Sequence, residues 1–306
     1  MSKQTYAWLA VLTITVLWAS SLILAKIVFA ELTPIAFVAL RYTLACPILI
    51  PVVLFTKRRQ ESSNNPREYW KLIVVAGLAG PFLSQVMQYI ALNMTTASDA
   101  VLLLNFTPVF AVIIAAALLD ERITVAKLLG LFMATFGAIM IVLNPAPVDP
   151  IISPTRLLGD IILVASTFFF AINGIIGKVA VKSVDSVSVT FYSTLAAVPF
   201  LWLSVAIFED LPVLLTLSFQ AWLIVLWVGV VNTAFAFILY YESMRYIEAS
   251  KVQIALNLIG VWGVLMSIPI LGETISLLQV LGGSVTIIGV IMVQQERSKR
   301  LDEKLS

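Results

Sequence analysis

Apolar residues along this chain gather into long runs, interrupted at nearly regular intervals by charged residues, proline or glycine. Ten runs approach the roughly 20 residues that a helix needs to cross the hydrocarbon core of a bilayer. They predict spans at about 7–29, 34–56, 71–92, 98–119, 124–143, 157–180, 187–208, 221–243, 250–271 and 275–294. Several connections are only a few residues long, such as Leu32-Thr33 and Asp120 to Ile123, which makes consecutive helices antiparallel neighbours. The pattern is that of an all-α polytopic membrane protein with ten transmembrane helices.

The same pattern occurs twice. An ungapped offset of 152 residues pairs Lys26 with Lys178, Pro47 with Pro199, Gly77 with Gly229 and Tyr89 with Tyr241. It continues through Asn105 and Asn257, Glu121 and Glu273, Gly130 and Gly282, and Gly137 and Gly289. Compositional bias would align Leu with Leu; it would not hold Lys, Pro, Gly, Tyr, Asn and Glu in one register. Residues 1–143 therefore form a first repeat, 144–156 an external linker, 157–296 a second repeat and 297–306 a basic tail.

Charge gives the orientation. With a cytoplasmic N-terminus, 16 of the 19 Lys and Arg residues fall on the inner side, while Glu31, Asp149, Glu209, Asp210 and Glu273 fall outside with Arg156 as the one basic exception. Lys26 and Arg41 lie within spans. This asymmetry places both termini in the cytoplasm. Because each repeat holds five spans, the second must enter from the opposite side, so the two repeats are inverted. That is a transporter architecture. A static scaffold or a receptor needs no such inversion.

Composition narrows the chemistry. The 306 residues are 60% hydrophobic and 12% charged, with a mean hydropathy of +1.02. A soluble domain is nearer half apolar and a quarter charged. With no His and only Cys46, the chain has no internal disulfide, no His/Cys metal site and no Ser-His or Cys-His catalytic pair. An enzyme would have to use carboxylates alone, and the spans show no deep carboxylate pair. No cofactor and no nucleic-acid partner is expected. The first apolar segment exceeds twenty residues and has a mid-chain counterpart around Lys178, so it is expected to be retained rather than cleaved.

The repeat resembles the EamA domain of the drug/metabolite transporter superfamily over nearly the whole chain. The resemblance is carried by Trp18-Ala19-Ser20-Ser21 and Lys26, by Pro34, Arg41-Tyr42 and Leu44-Ala45, and by Asn105, Pro108 and Asp120-Glu121-Arg122. Leu129-Gly130, Gly137, Gly272-Glu273-Thr274, Gly282 and Gly289 complete it. It implies a ten-helix carrier whose central cavity is built by the first four helices of each repeat, with the fifth helices packed at the side. The residues agree: spans five and ten carry Gly130, Ala134, Gly137 and Gly282, Thr286, Gly289 at spacings that permit close helix approach.

Polar groups deep in a bilayer mark candidate sites. Gln85, Gln88 and Tyr89 share one face of span three at i, i+3 and i+4, and Phe237, Tyr240 and Tyr241 form the matching face of span eight. Trp18 and Ser21 of span one, Phe170 and Asn173 of span six, and Asn105 and Asn257 complete the candidate substrate-binding set. The amides either line a cavity or join helices by hydrogen bonds. Arg41 is the deepest clear charge, roughly 10 Å past Pro34 at helical rise. It either contacts an anionic group such as a substrate carboxylate, or snorkels outward to pair with Glu31 or Asp99. Gly77, Gly80, Pro81 and Pro108, with Gly229 and Gly260, are candidate bending points.

The expectation is a secondary transporter that moves a small organic solute by alternating access, an exporter of amino acids or related metabolites. It would lie in the plasma (inner) membrane, with the lipid bilayer and a small-molecule solute as its partners; a monomer suffices for this layout. A nucleotide-sugar or sugar-phosphate exchanger, and a non-transporting membrane scaffold, are the alternatives. The exchanger would want several cations converging on the cavity.

Overall fold

The computed structural model describes residues 3–59, 69–119, 124–142, 153–209, 217–285 and 287–289. The stretch 60–68, the 120–123 connection with Glu121, most of the linker and the 297–306 tail lie outside the described residues. Every described element is helical. We number them α1 (Lys3–Val28), α2 (Pro34–Arg59), α3 (Trp70–Met94), α4 (Ala97–Leu118) and α5 (Val125–Val142). The second half follows as α6 (Pro154–Ala180), α7 (Ser186–Phe208), α8 (Phe219–Tyr246), α9 (Ala249–Ala255 continuing as Leu258–Leu271) and α10 (Leu277–Gly289). Eight of them, α1–α4 and α6–α9, are long and apolar enough to cross a membrane. α10 is a shorter apolar helix. α6 begins at Pro154, three residues before the predicted span, because proline at the first turn sacrifices no helical hydrogen bond.

Local chemistry fixes the helix ends. Asp185 accepts from the Ser188 N–H (2.8 Å) at the start of α7, and Thr96 accepts from the Asp99 N–H (3.0 Å) at the start of α4. Ser276 and Gln279 bond reciprocally, side chain to backbone, at 2.8 and 3.1 Å to open α10. α9 stops at Gly272, whose φ of 68° lies in the left-handed region that suits a residue without Cβ.

Three of the six predicted bending points, Gly80, Pro81 and Gly229, fall where helical geometry changes, while Gly77, Pro108 and Gly260 lie just beside such segments. α3 is π-helical over Leu78–Ser84, which contains Gly80 and Pro81, and α8 is π-helical over Val228–Phe235. α4 tightens to a 3-10 turn at Leu104–Phe106, and α9 breaks into a turn at residues 256–257. In both cases the irregular segments overlap under the 152-residue offset.

Packing between the halves is reciprocal. α1 packs on α8 and α9, as α6 packs on α3 and α4; α2 packs on α8, as α7 packs on α3; α2 and α7 pack on each other. Gly77 of α3 lies so close to α7 that a Cβ would collide with the Ser193 carbonyl. At the equivalent place, a Cβ on Gly229 would come within 2.9 Å of the Arg41 carbonyl. Residue i meeting j while j's counterpart meets i's counterpart is the signature of a two-fold relation. α5 and α10 stand outside this arrangement: Val125 and Phe132 are 70% and 69% exposed, and Leu277 is 74% exposed. The two approach each other where Gly289 faces Gly130 and Met133.

Candidate functional site

The helices that interlock across the halves leave a cavity between them. Its wall comes from α1 (Trp18, Ser21, Leu22), α2 (Arg41), α3 (Gln85, Gln88, Tyr89), α4 (Leu104, Thr107), α6 (Phe170), α8 (Phe237) and α9 (Gln253, Leu256, Asn257, Ile259). The space is about 50 Å³ at the centres of water-sized spheres, where a single water needs ~10–15 Å³. A few waters fit; a solute of amino-acid size requires the walls to part.

One side of the cavity is aromatic. The Trp18 ring meets Phe170 edge-on at 5.6 Å and Phe237 at 5.1 Å, with Tyr240 behind at 5.3 Å. Its indole N–H is fixed by the Asn232 carbonyl (3.0 Å), which sets the ring's angle. The other side is polar. Gln85 and Gln88, one turn apart on α3, bond to each other through their amides (3.0 Å) and are nearly buried.

Arg41 stands between these sides, 1% exposed. Its Nη1 donates to the Tyr89 hydroxyl (2.6 Å) and its Nε to the Thr233 hydroxyl (2.9 Å). Tyr89 is also hydrogen-bonded to Ser21 (2.8 Å), while the guanidinium lies 5.3 Å from the centroids of both the Tyr42 and Tyr89 rings. No carboxylate among the described residues pairs with it. Glu31 instead accepts from the Ser218 N–H and hydroxyl, both 2.7 Å, which hold its carboxyl below the usual range. Asp99 pairs with Arg156. The snorkelling geometry weighed for Arg41 is therefore not adopted.

Nine of the thirteen candidate residues line the cavity: Trp18, Ser21, Arg41, Gln85, Gln88, Tyr89, Phe170, Phe237 and Asn257. The other four stand behind it. Tyr241 and Asn173 bond mutually at 2.7 and 3.0 Å, and Tyr240 accepts from Gln253 Nε2 (2.7 Å). Asn105 is 1% exposed and packs against Gly260, where a Cβ would come within 2.8 Å of its amide nitrogen. Gln253 was missed. Its counterpart under the repeat is Val101, so a search for matched polar pairs passes over it, although an amide deep in an apolar run is itself a signal. Its Oε1 and the Asn257 Nδ2 have no hydrogen-bond partner.

A carboxylate pair does form, near the helix ends rather than deep in the spans: Asp99 on α4 and Asp160 on α6 both approach the Thr95 hydroxyl, at 3.5 and 2.7 Å. They are far apart in sequence, and only the packing of α6 on α3 and α4 joins them. Among the described residues no group of three or more His, Cys, Asp or Glu could hold a metal ion.

The profile of the EamA-like transporter family matches residues 5–143 and again residues 157–294. An uncharacterized transporter of Archaeoglobus fulgidus is 24% identical over 95% of this chain and 98% of its own length. The uncharacterized transporter YyaM of Bacillus subtilis is 23% identical over 94% of this chain and 93% of its own. One crystal structure superposes with a TM-score of 0.72 at 19% identity, covering 97% of this chain and 99% of the other, which shows a shared fold.

Proposed function

The chain belongs to the EamA-like transporter family, and on that footing we propose that it carries a small organic solute bearing a carboxylate, an amino acid or related metabolite, outward by alternating access. The observation that carries this reading is Arg41: a buried guanidinium on the cavity wall, held by hydroxyls and without a carboxylate partner among the described residues. A buried cation without a counter-ion is unfavourable unless a ligand or water supplies one. A solute carboxylate would supply it with charge-assisted hydrogen bonds. Gln85, Gln88, Gln253 and Asn257 offer acceptors for an ammonium group, and Trp18, Phe170 and Phe237 offer apolar surface.

The protein is an integral membrane protein. In our reading α5 and α10 also cross the bilayer, giving ten spans in two inverted repeats, with both termini cytoplasmic in a plasma membrane. The reciprocal packing and the distribution of Lys and Arg support this. The matched irregular segments in α3 and α8, and in α4 and α9, are where a rocking motion would bend. The nucleotide-sugar alternative gains nothing here, since Arg41 is the one cation among the described residues that line the cavity. The test is uptake into vesicles containing only the purified chain, offered amino acids, nucleotide sugars and cationic dyes. Saturable movement of zwitterionic or anionic amino acids is expected. Movement of nucleotide sugars or dyes alone, or of nothing, would sink the reading.

A further inference from the structure

A second buried polar cluster lies outside the cavity, where α1, α3 and α9 end and α4, α6 and α10 begin. Asp99, fully buried, receives Arg156 Nη2 at 2.8 Å, Arg156 Nε at 3.0 Å and Gln279 Nε2 at 2.7 Å. Glu273 accepts from the backbone N–H groups of Ala97 (2.8 Å) and Ser98 (2.9 Å) and from the Ser98 hydroxyl. Lys26 donates to the Thr95 carbonyl (2.6 Å). These carboxylates are well satisfied.

Asp160 is not. It sits one turn beyond Arg156 on α6 and is 1% exposed. Its Oδ1 accepts from the Thr95 hydroxyl at 2.7 Å, while its Oδ2 has no hydrogen-bond partner. The charged groups that act on it directly are Arg156 on its own helix and Asp99 from α4; Lys26 from α1 acts in turn on Asp99 and on Glu273 from the connection before α10, and the end of α3 and the start of α10 contribute the neutral Thr95 and Gln279. Two cations face two other carboxylates, so the cluster is already neutral without a charge on Asp160. Ionising it would place a net negative charge and a bare carboxylate oxygen in a buried site beside Asp99, a strongly unfavourable arrangement. A protonated carboxyl keeps the Thr95 bond through Oδ1 and removes the surplus charge.

We propose that Asp160 is a proton-binding site: its Oδ2 holds a proton while this end of the bundle is closed, and gives it to water when these helix ends separate. The site stands on the geometry of the cluster. Its consequence, that solute movement is coupled to proton movement, rests on the transporter reading.

The first test needs no solute. Infrared spectra of the full-length chain in lipid at neutral pH should show the carbonyl stretch of an un-ionised carboxyl group that is absent in Asp160→Asn. The same band in the parent should shift when aspartate is labelled with carbon-13 at its side-chain carboxyl, a measurement that does not depend on the variant folding. A parent without the band, a band unmoved by labelling, or one unchanged in Asp160→Asn overturns the site. In vesicles, whichever solute the parent carries should then move several-fold faster under an imposed pH gradient, while Asp160→Asn is indifferent to it. A parent indifferent to the gradient overturns the release step. A parent that carries nothing overturns the transporter reading, and the infrared band still decides the proton site.

Discussion

Tyr89 and Tyr241 occupy the same position of the two repeats and have opposite surroundings. Each hydroxyl reaches back to the first helix of its own repeat, to Ser21 at 2.8 Å in one case and to its counterpart Asn173 at 2.7 Å in the other. There the likeness ends. Tyr89 also accepts from Arg41 and lines the cavity, whereas Tyr241 pairs with Asn173 behind it, and the place of Arg41 is taken by Ser193, a neutral hydroxyl that also reaches Tyr241. The lysines show how much is shared: Lys26 donates to the Thr95 carbonyl and Lys178 to the equivalent Ile247 carbonyl (2.8 Å). Duplication supplies a common frame, and a few substitutions within it make one half a charged pole and the other a neutral wall.

The sharpest way to break this comparison is to remove the charge. Arg41→Gln should lower uptake of carboxylate-bearing solutes roughly 10- to 100-fold, since a charge-assisted hydrogen bond contributes about 1.5–3 kcal/mol. Ser193→Ala should cost far less, because the Ser193 hydroxyl is neutral: it bonds the Thr190 carbonyl of its own helix (3.1 Å) and reaches the Tyr241 hydroxyl, so no charge is lost with it. Both are read in the same vesicle assay, with monodispersity after purification as the control for folding. Equal losses in the two variants would mean that Arg41 is a structural member of the α2 packing.

A smaller effect should separate the tyrosines. Tyr241→Phe strips the Asn173 amide of both hydroxyl bonds in a site that is fully buried, leaving a 3.5 Å contact with the Ala76 carbonyl. A loss of about 1–3 kcal/mol of stability is expected, the usual consequence of an unsatisfied buried group. It would be visible as a lower thermal midpoint. Tyr89→Phe should reduce uptake with less effect on the midpoint, because water in the cavity can replace the hydroxyl for both Ser21 and Arg41. The reverse ranking would show that the cavity belongs to the second half.

Much of this was legible in the sequence, for identifiable reasons. The 152-residue register carries the reciprocal packing, since Gly77 and Gly229 are the points where α3 and α8 touch the opposite half. The helical faces of Gln85, Gln88 and Tyr89 follow from 3.6-residue spacing alone. What escaped depends on long-range packing. Asn173 and Tyr241 satisfy each other and so leave the cavity, and no periodicity distinguishes that from a pair facing a solute. Asp99 and Asp160 meet only because three helices end together, so each looks like an isolated charge at a helix end. Gln253 lacks a polar counterpart, and a reading built on matched pairs is blind to it.

The smallest expected effect tests the ends of the molecule. Glu31 follows α1 and clasps Ser218, whose hydroxyl in turn accepts from the Ala221 N–H (3.1 Å) at the start of α8. Its counterpart in the repeat is Ser183, a neutral residue, and the nearby α7 start is capped by Asp185 on its own helix. Hydrogen bonds from Ser218 hold the Glu31 carboxyl below its ordinary value of 4.5, so the charged form is favoured in the folded state. Its contribution is then fully present above the unfolded value and is lost as pH falls through the lower, folded one. Glu31→Gln should therefore lower the thermal midpoint slightly at neutral pH, and the gap to the parent should close on acidification. The shift should be small because the carboxylate is exposed to screening solvent. A gap that stays constant into acid would mean that the clasp depends on the shape of the side chain and not on its charge.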